Sequence, residues 1–217
     1  MSLIKNIIFD FDGTLADTSK LIVATMQKSI QDYGLPYRNE EQIKSTIGIR
    51  LEEIPSILWP SIKGLGEPFA AVYRKNFETL KDKIPVTLFP GIKETLSRLK
   101  KEGFEMSVAT SRSHRSVEEL TEHLGIRDCF VYLLGGDDVK EGKPAPESIN
   151  RILSVTGGNS NDTMMVGDMN VDIIMGKNAG VKTCGVTYGN GKAKELEEAG
   201  ADFIISDFKQ LIEILLC

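Results

Sequence analysis

Cysteine is scarce in this chain and histidine scarcer. Cys129, Cys184 and Cys217 form an odd, scattered set with no CxxC pair. No disulfide framework is expected from them. His114 and His123 stand nine apart without a cysteine partner, so they do not form a zinc pattern. No apolar run is long enough to span a bilayer, and Met1 to Lys5 lead straight into a strand pattern without a signal-type apolar segment. Basic excess is missing too: the net charge of −5 creates no field that would draw nucleic acid or an anionic membrane. These absences predict a cytoplasmic, reduced protein with neither nucleic acid nor membrane as partner. Monomer and dimer stay equally open. An anionic substrate would have to be held by local cations or by a metal.

What is present is ordinary globular material. With 217 residues, 41% hydrophobic and 26% charged, the chain can build one large domain or two small ones. Short β-branched runs predict strands at Leu3–Phe9, Phe104–Ala109, Val131–Leu134, Thr163–Val166, Val181–Val186 and Phe203–Ile205. Amphipathic stretches between and after them predict helices at Ile92–Glu102, Ser116–Leu124, Pro146–Thr156, Val171–Ala179, Lys192–Ala199 and Phe208–Leu216. Strand alternating with helix argues for a parallel sheet covered on both faces, with ligands beyond the carboxyl ends of its strands.

Residues 16–84 break this alternation. They show helical patterns at Ser19–Tyr33, Glu40–Thr46, Leu51–Leu58 and Glu67–Lys81, and no good strand. Breaks fall at Gly34-Leu35-Pro36, Gly48 and Lys63-Gly64-Leu65-Gly66. The expected organisation is therefore a discontinuous α/β core, residues 1–15 and 85–217, with an all-helical insert at 16–84.

The acids carry the chemistry. Asp10 and Asp12 close the first apolar run in "IIFDFDGTLADT", and Asp168 closes "VGD" with Asp172 four residues on. One such aspartate is often only a cap or turn former. Several converging at one sheet edge repel each other and need a cation, and hard oxygen donors suit Mg²⁺.

Four motifs then line up in order: Asp10-Phe11-Asp12-Gly13-Thr14, Thr110 closing "SVAT", Lys143-Pro144 in "GKPAPE", and Gly167-Asp168 with Asp172. Over essentially the whole chain the sequence resembles the haloacid dehalogenase superfamily in its phosphatase branch, nearest the phosphoglycolate phosphatase-like group. The resemblance implies a Rossmann-like core with a small helical cap, Mg²⁺ as cofactor, and a small phosphorylated metabolite as partner. It implies Asp10 as nucleophile and Asp12 as general acid and base, with Thr110 and Lys143 completing the catalytic set. Asp10, the Asp12 backbone carbonyl and Asp168 would hold the metal, while Asp172 orients metal-bound water or Lys143. Gly13 and Ser111 would bind the substrate phosphate.

Some residues lie at the edge of the resemblance. Many relatives carry Asn-Lys after the threonine where this chain has Ser111-Arg112, which leaves substrate phosphate, cap docking or solvent open for Arg112. Arg50, in "STIGIRLEEI", falls where capped relatives place a specificity loop, so it is expected at the substrate's non-reacting end. Asp17 is read as structural, and His114 and Arg115 as a helix face. A β-phosphoglucomutase-like phosphomutase and a pyrophosphatase would share every core residue. A phospho-accepting signalling module would also use a strand-end Asp, a Thr or Ser and a Lys, but it has no helical insert and no acid two residues after the nucleophile. Dehalogenases and phosphonatases of the superfamily depart from this chain at the position of Asp12.

Overall fold

The computed structural model describes residues 4–216. Leu3, at the start of the first expected strand, and Cys217 lie outside the described residues. In chain order, β1 (Asn6–Phe9) and β2 (Ala16–Asp17) lead into four helices. These are α1 (Ser19–Tyr33), α2 (Glu40–Lys44), α3 (Ile54–Leu58) and α4 (Gly66–Leu80). The chain returns through β3 (Thr87–Leu88), α5 (Ile92–Lys101), β4 (Glu105–Ala109), α6 (His114–His123) and β5 (Tyr132–Leu134). It ends with α7 (Glu147–Thr156), β6 (Thr163–Gly167), α8 (Asn170–Asn178), β7 (Lys182–Val186), α9 (Ala193–Glu198), β8 (Phe203–Ile205) and α10 (Gln210–Leu216).

The six longer strands form one parallel sheet in the order β5-β4-β1-β6-β7-β8. Its side chains alternate between two faces, as the pleat requires. Ile7, Phe9, Met106, Val108, Met164 and Val166 belong to one buried cluster. Ile8, Ala109, Leu134 and Met165 belong to the cluster on the other side. All six expected strands and all ten expected helices form, each within a few residues of the sequence reading.

The differences have local causes. The helix expected at Leu51 begins at Ile54 because Pro55 sits in its first turn, where a missing N–H costs nothing. The helix expected at Ser116 begins at His114 because the Ser113 hydroxyl accepts from the Ser116 N–H and caps it. The segment read as strand-free contains β2, which pairs antiparallel with β3. This two-residue ribbon carries both chain crossings between the sheet and the helices of 16–84. Those helices have a core of their own, in which Val23, Met26, Ile43, Trp59 and Phe69 are buried together. The Trp59 indole N–H donates to the Pro36 carbonyl at 2.9 Å. No helix among the described residues is long and apolar enough to cross a membrane.

Phe9 ties the central strand to its surroundings. It is fully buried, with ring centroids 6.4 Å from Phe130 and 5.7 Å from Phe208. Phe9→Ala is expected to cost about 3–5 kcal/mol in urea unfolding of the core, a cavity as well as a transfer penalty. A loss below about 1 kcal/mol would mean that the site refills.

Candidate active site

The register of the sheet decides which side chains meet. Phe9 is level with Val108 of β4 and Val166 of β6. Asp10, Thr110 and Asp168 therefore leave three neighbouring strands at the same carboxyl edge, with β1 at the switch between the two halves of the sheet. The structure brings Asp10, Asp168 and Asp172 together: one carboxylate oxygen from each lies within 4.8 Å of the others, and all three residues are buried.

A single ammonium faces them. Lys143 Nζ donates to Asp10 Oδ1 at 2.5 Å and to Asp172 Oδ1 at 2.7 Å. Asp172 Oδ2 accepts from the Met169 N–H at 3.0 Å, which also anchors the start of α8. Asp168 accepts from the Thr14 hydroxyl at 3.2 Å and from the Asn190 N–H at 2.7 Å. Three buried acids against one buried base leave an excess of negative charge. Burial, above all, pushes Asp10 well above the usual carboxylate range, and its acidic neighbours add to this against the pull of Lys143. Burial, then Asp172, pushes Asp168 up to about 7. Burial alone would lower Lys143, yet Asp10 and Asp172 hold it above its ordinary value and so charged.

Asp10 Oδ2 is buried and has no hydrogen-bond partner. An orphaned oxygen inside an anionic, all-oxygen cluster fits a hard divalent cation. Asp10 and Asp168 would hold it. The Asp12 carboxylate lies outside this cluster and is committed elsewhere.

The loop after β7 completes the pocket, and the sequence reading missed it. Tyr188 donates its hydroxyl to the Thr14 carbonyl at 2.8 Å, and Asn190 donates to Asp168 as above. A Cβ on Gly189 would stand 2.3 Å from the Gly13 carbonyl, and one on Gly191 would stand 1.9 Å from the Asp168 carbonyl. The signal available was "YGNGK" directly after an apolar strand: two glycines round an asparagine mark a close backbone approach.

The three residues assigned to substrate sit differently from expectation. Gly13 has φ +92 and lies so close to Asp168 that no side chain fits, but its N–H donates to the Ala16 carbonyl at 2.9 Å. It makes room rather than binding an anion. Ser111 turns its hydroxyl to the Gly48 carbonyl of the helical insert at 2.6 Å. Arg50 lines the cavity between insert and sheet, and its Nε is buried without a partner. Its guanidinium donates to the carbonyls of Lys140 at 2.7 Å, Gly136 at 2.5 Å and Val139. These carbonyls belong to the loop that carries Lys143, so Arg50 clasps the insert onto the core.

Asp12 and Arg112 form a second centre. Arg112 Nε donates to Asp12 Oδ2 at 3.2 Å and Nη2 to Asp12 Oδ1 at 2.5 Å, while the Thr18 hydroxyl donates to Oδ1 at 2.6 Å. Of the three destinations left open for Arg112, solvent is excluded by its pairing with Asp12 and a side chain only 9% exposed. Thr110 is buried, and its hydroxyl accepts from the Arg112 N–H at 3.2 Å. Asp17 accepts from the Ser19 hydroxyl at the entry to α1, a structural contact. His114 pairs with Asp138 at 2.7 Å in the first turn of α6.

The family profile described as haloacid dehalogenase-like hydrolase matches residues 7–186. The chain belongs to the haloacid dehalogenase-like hydrolases. It is 31% identical to a phosphoglycolate phosphatase of Vibrio parahaemolyticus over 98% of this chain and 96% of that protein. It is 29% identical to the pyrophosphatase PpaX of Oceanobacillus iheyensis, over 98% and 97%. Among solved structures it resembles a putative haloacid dehalogenase-like hydrolase from Bacteroides fragilis, with TM-score 0.91 and 31% identity over 96% of this chain and 100% of that one.

In this hydrolase a cavity of about 760 Å³ lies between insert and sheet. It opens onto Asp12 and Arg112 and is walled by Met26, Ile47, Tyr73 and Phe77 of the insert.

Two outcomes follow from the geometry. A carboxyl raised in the fold loses native stability as pH climbs from its ordinary 3.8 through about 7, unless a cation takes the proton's place. The rise in Tm on adding a divalent cation should therefore be small at about pH 5 and large at about pH 8, and Asp168→Asn should flatten it. Arg50→Ala should speed amide hydrogen exchange in residues 136–142 by about 10-fold while α7 exchanges as before, since about one net charged hydrogen bond is lost. Unchanged exchange there would remove the clasp.

Proposed function

We propose that this hydrolase is a Mg²⁺-dependent phosphatase for a small phosphate monoester, with phosphoglycolate as first candidate, working through an aspartyl-phosphate on Asp10. The observation that carries it is the state of Asp10: Oδ1 is tied to Lys143 while Oδ2 is buried and unpartnered at the centre of the sheet edge. Such a carboxylate is oriented for attack by one oxygen.

Bound Mg²⁺, held by Asp10 and Asp168, would screen the phosphoryl charge so that an anion can be attacked by an anion. The chain's own residues do the rest. One carboxylate oxygen of Asp10 forms a bond to phosphorus as the ester oxygen leaves, and Asp12 gives that oxygen a proton. Water then attacks phosphorus and passes a proton to Asp12, and Asp10 is released with free phosphate. Lys143 stays charged between Asp10 and Asp172 and balances the transferring group. Thr110, at the end of β4, is the hydroxyl on the phosphoryl side. The insert, drawn down by Arg50 and Ser111, limits the access of bulk water to this edge. The similarity to a pyrophosphatase keeps pyrophosphate among the substrates to be offered, and sugar phosphates test for a mutase, whose product is an isomer rather than free phosphate.

Asp10→Asn should reduce phosphate release from the best monoester by about 1,000-fold or more, with Tm changed little or raised. Retention of substantial turnover would refute Asp10 as nucleophile. EDTA should abolish wild-type turnover and added Mg²⁺ restore it.

A further inference from the structure

We propose that Arg112 selects substrates whose leaving group carries its own negative charge, by exchanging its hold on Asp12 for that charge. This rests on the phosphatase reading above and narrows its substrate class to small esters with a carboxylate or second phosphate a few atoms from the ester oxygen.

Both carboxylate oxygens of Asp12 are occupied, by the Arg112 fork and by the Thr18 hydroxyl. A guanidinium fork offers only donors, so a carboxyl that is to give its proton to a leaving oxygen has to come out of that fork. Arg112 cannot simply be left behind. Its side chain is only 9% exposed, with its guanidinium carbon 5.2 Å from the Phe77 ring centre of the insert and Nη1 on the Ser116 hydroxyl at 3.0 Å. A guanidinium stranded there without an anion is costly. A leaving group that brings an anion replaces Asp12 on Arg112 and frees the acid in one exchange. A neutral leaving group does neither.

No other arginine lining the cavity is placed for this. Arg50 is committed to carbonyls of 136–140. Arg74 pairs with Glu52 and with Glu67 at 2.6 Å, and Arg115 pairs with Glu119 at 2.7 Å from an exposed position. Arg112 alone of the four touches Asp12, and it does so at the floor of the cavity.

The test compares two esters of nearly equal size, phosphoglycolate and 2-hydroxyethyl phosphate, which differ in the charge of the leaving group. Wild type should prefer the carboxylated ester by about 10–100-fold in kcat/KM, the range a charged hydrogen bond carries. Arg112→Gln should bring that ratio to within about threefold of one, and Arg112→Lys should bring it only part-way. A wild-type ratio near one, or an equal fall for both esters in Arg112→Gln, overturns the proposal. A binding measurement separates it from the phosphatase reading. Glycolate, but not ethylene glycol, should raise the Tm of wild type and not of Arg112→Gln. If neither ester is hydrolysed yet this pattern holds, the anion subsite stands and the phosphatase reading falls. If glycolate stabilises both proteins equally or neither, Arg112 is not the subsite. Should Arg112→Gln fail to fold, Arg112→Lys carries both measurements, with a partial loss expected in each.

Discussion

Three carboxylates buried around one ammonium are the constraint from which the rest of the site follows. Asp10, Asp168 and Asp172 could not share one sheet edge in apolar surroundings without compensation, and Lys143 supplies only part of it. The surrounding chain is shaped to finish the task. The Thr14 hydroxyl and the Asn190 amide turn donors toward Asp168, and the Met169 N–H does the same for Asp172. Glycines at 13, 189 and 191 let these backbones approach closer than any side chain would permit. The one carboxylate oxygen left without a partner belongs to Asp10.

Around that centre, polar contacts join the insert to the sheet domain. Ser111 meets the Gly48 carbonyl, Arg50 grips the loop of residues 136–140, and Arg112 lies under Phe77. The insert keeps its own apolar core, and the chain enters and leaves it through a two-residue ribbon. A body with its own core, joined by a narrow ribbon, parts from its partner at lower cost than one that shares the core. The same arrangement places Asp12 between hinge and core, since Thr18 at the head of α1 and Arg112 at the end of β4 both hold it.

Much of this was legible in the residues. Short apolar, β-branched runs and period-3.6 patterns located the strands and helices, because burial in a covered sheet or under a helix stripe writes itself into the sequence. The acids were legible because charged residues closing apolar runs are costly without a purpose, and Lys143 only through the resemblance that "GKPAPE" carries. The β2–β3 ribbon was not, since two residues carry no periodicity. Nor was the Tyr188–Gly191 loop, whose partners Thr14 and Asp168 lie far away in the chain. Gly13, Ser111 and Arg50 show the limit most plainly. Their types suit anion binding, but the same N–H, hydroxyl and guanidinium donors also suit carbonyl oxygens, and in the fold carbonyls are what they meet.

By itself, then, the sequence determined the elements, their alternation and the acids at the strand ends, because these depend on local pattern and on the cost of burying charge. Only the tertiary structure decided which donors face which acceptors: that Asp172 shares Lys143 with Asp10, that Arg50 clasps a loop, and that Arg112 holds Asp12. Hydrogen bonds reach only about 3 Å. A chain pattern says what a side chain can donate, and only the packing of distant strands and loops says what comes within that distance.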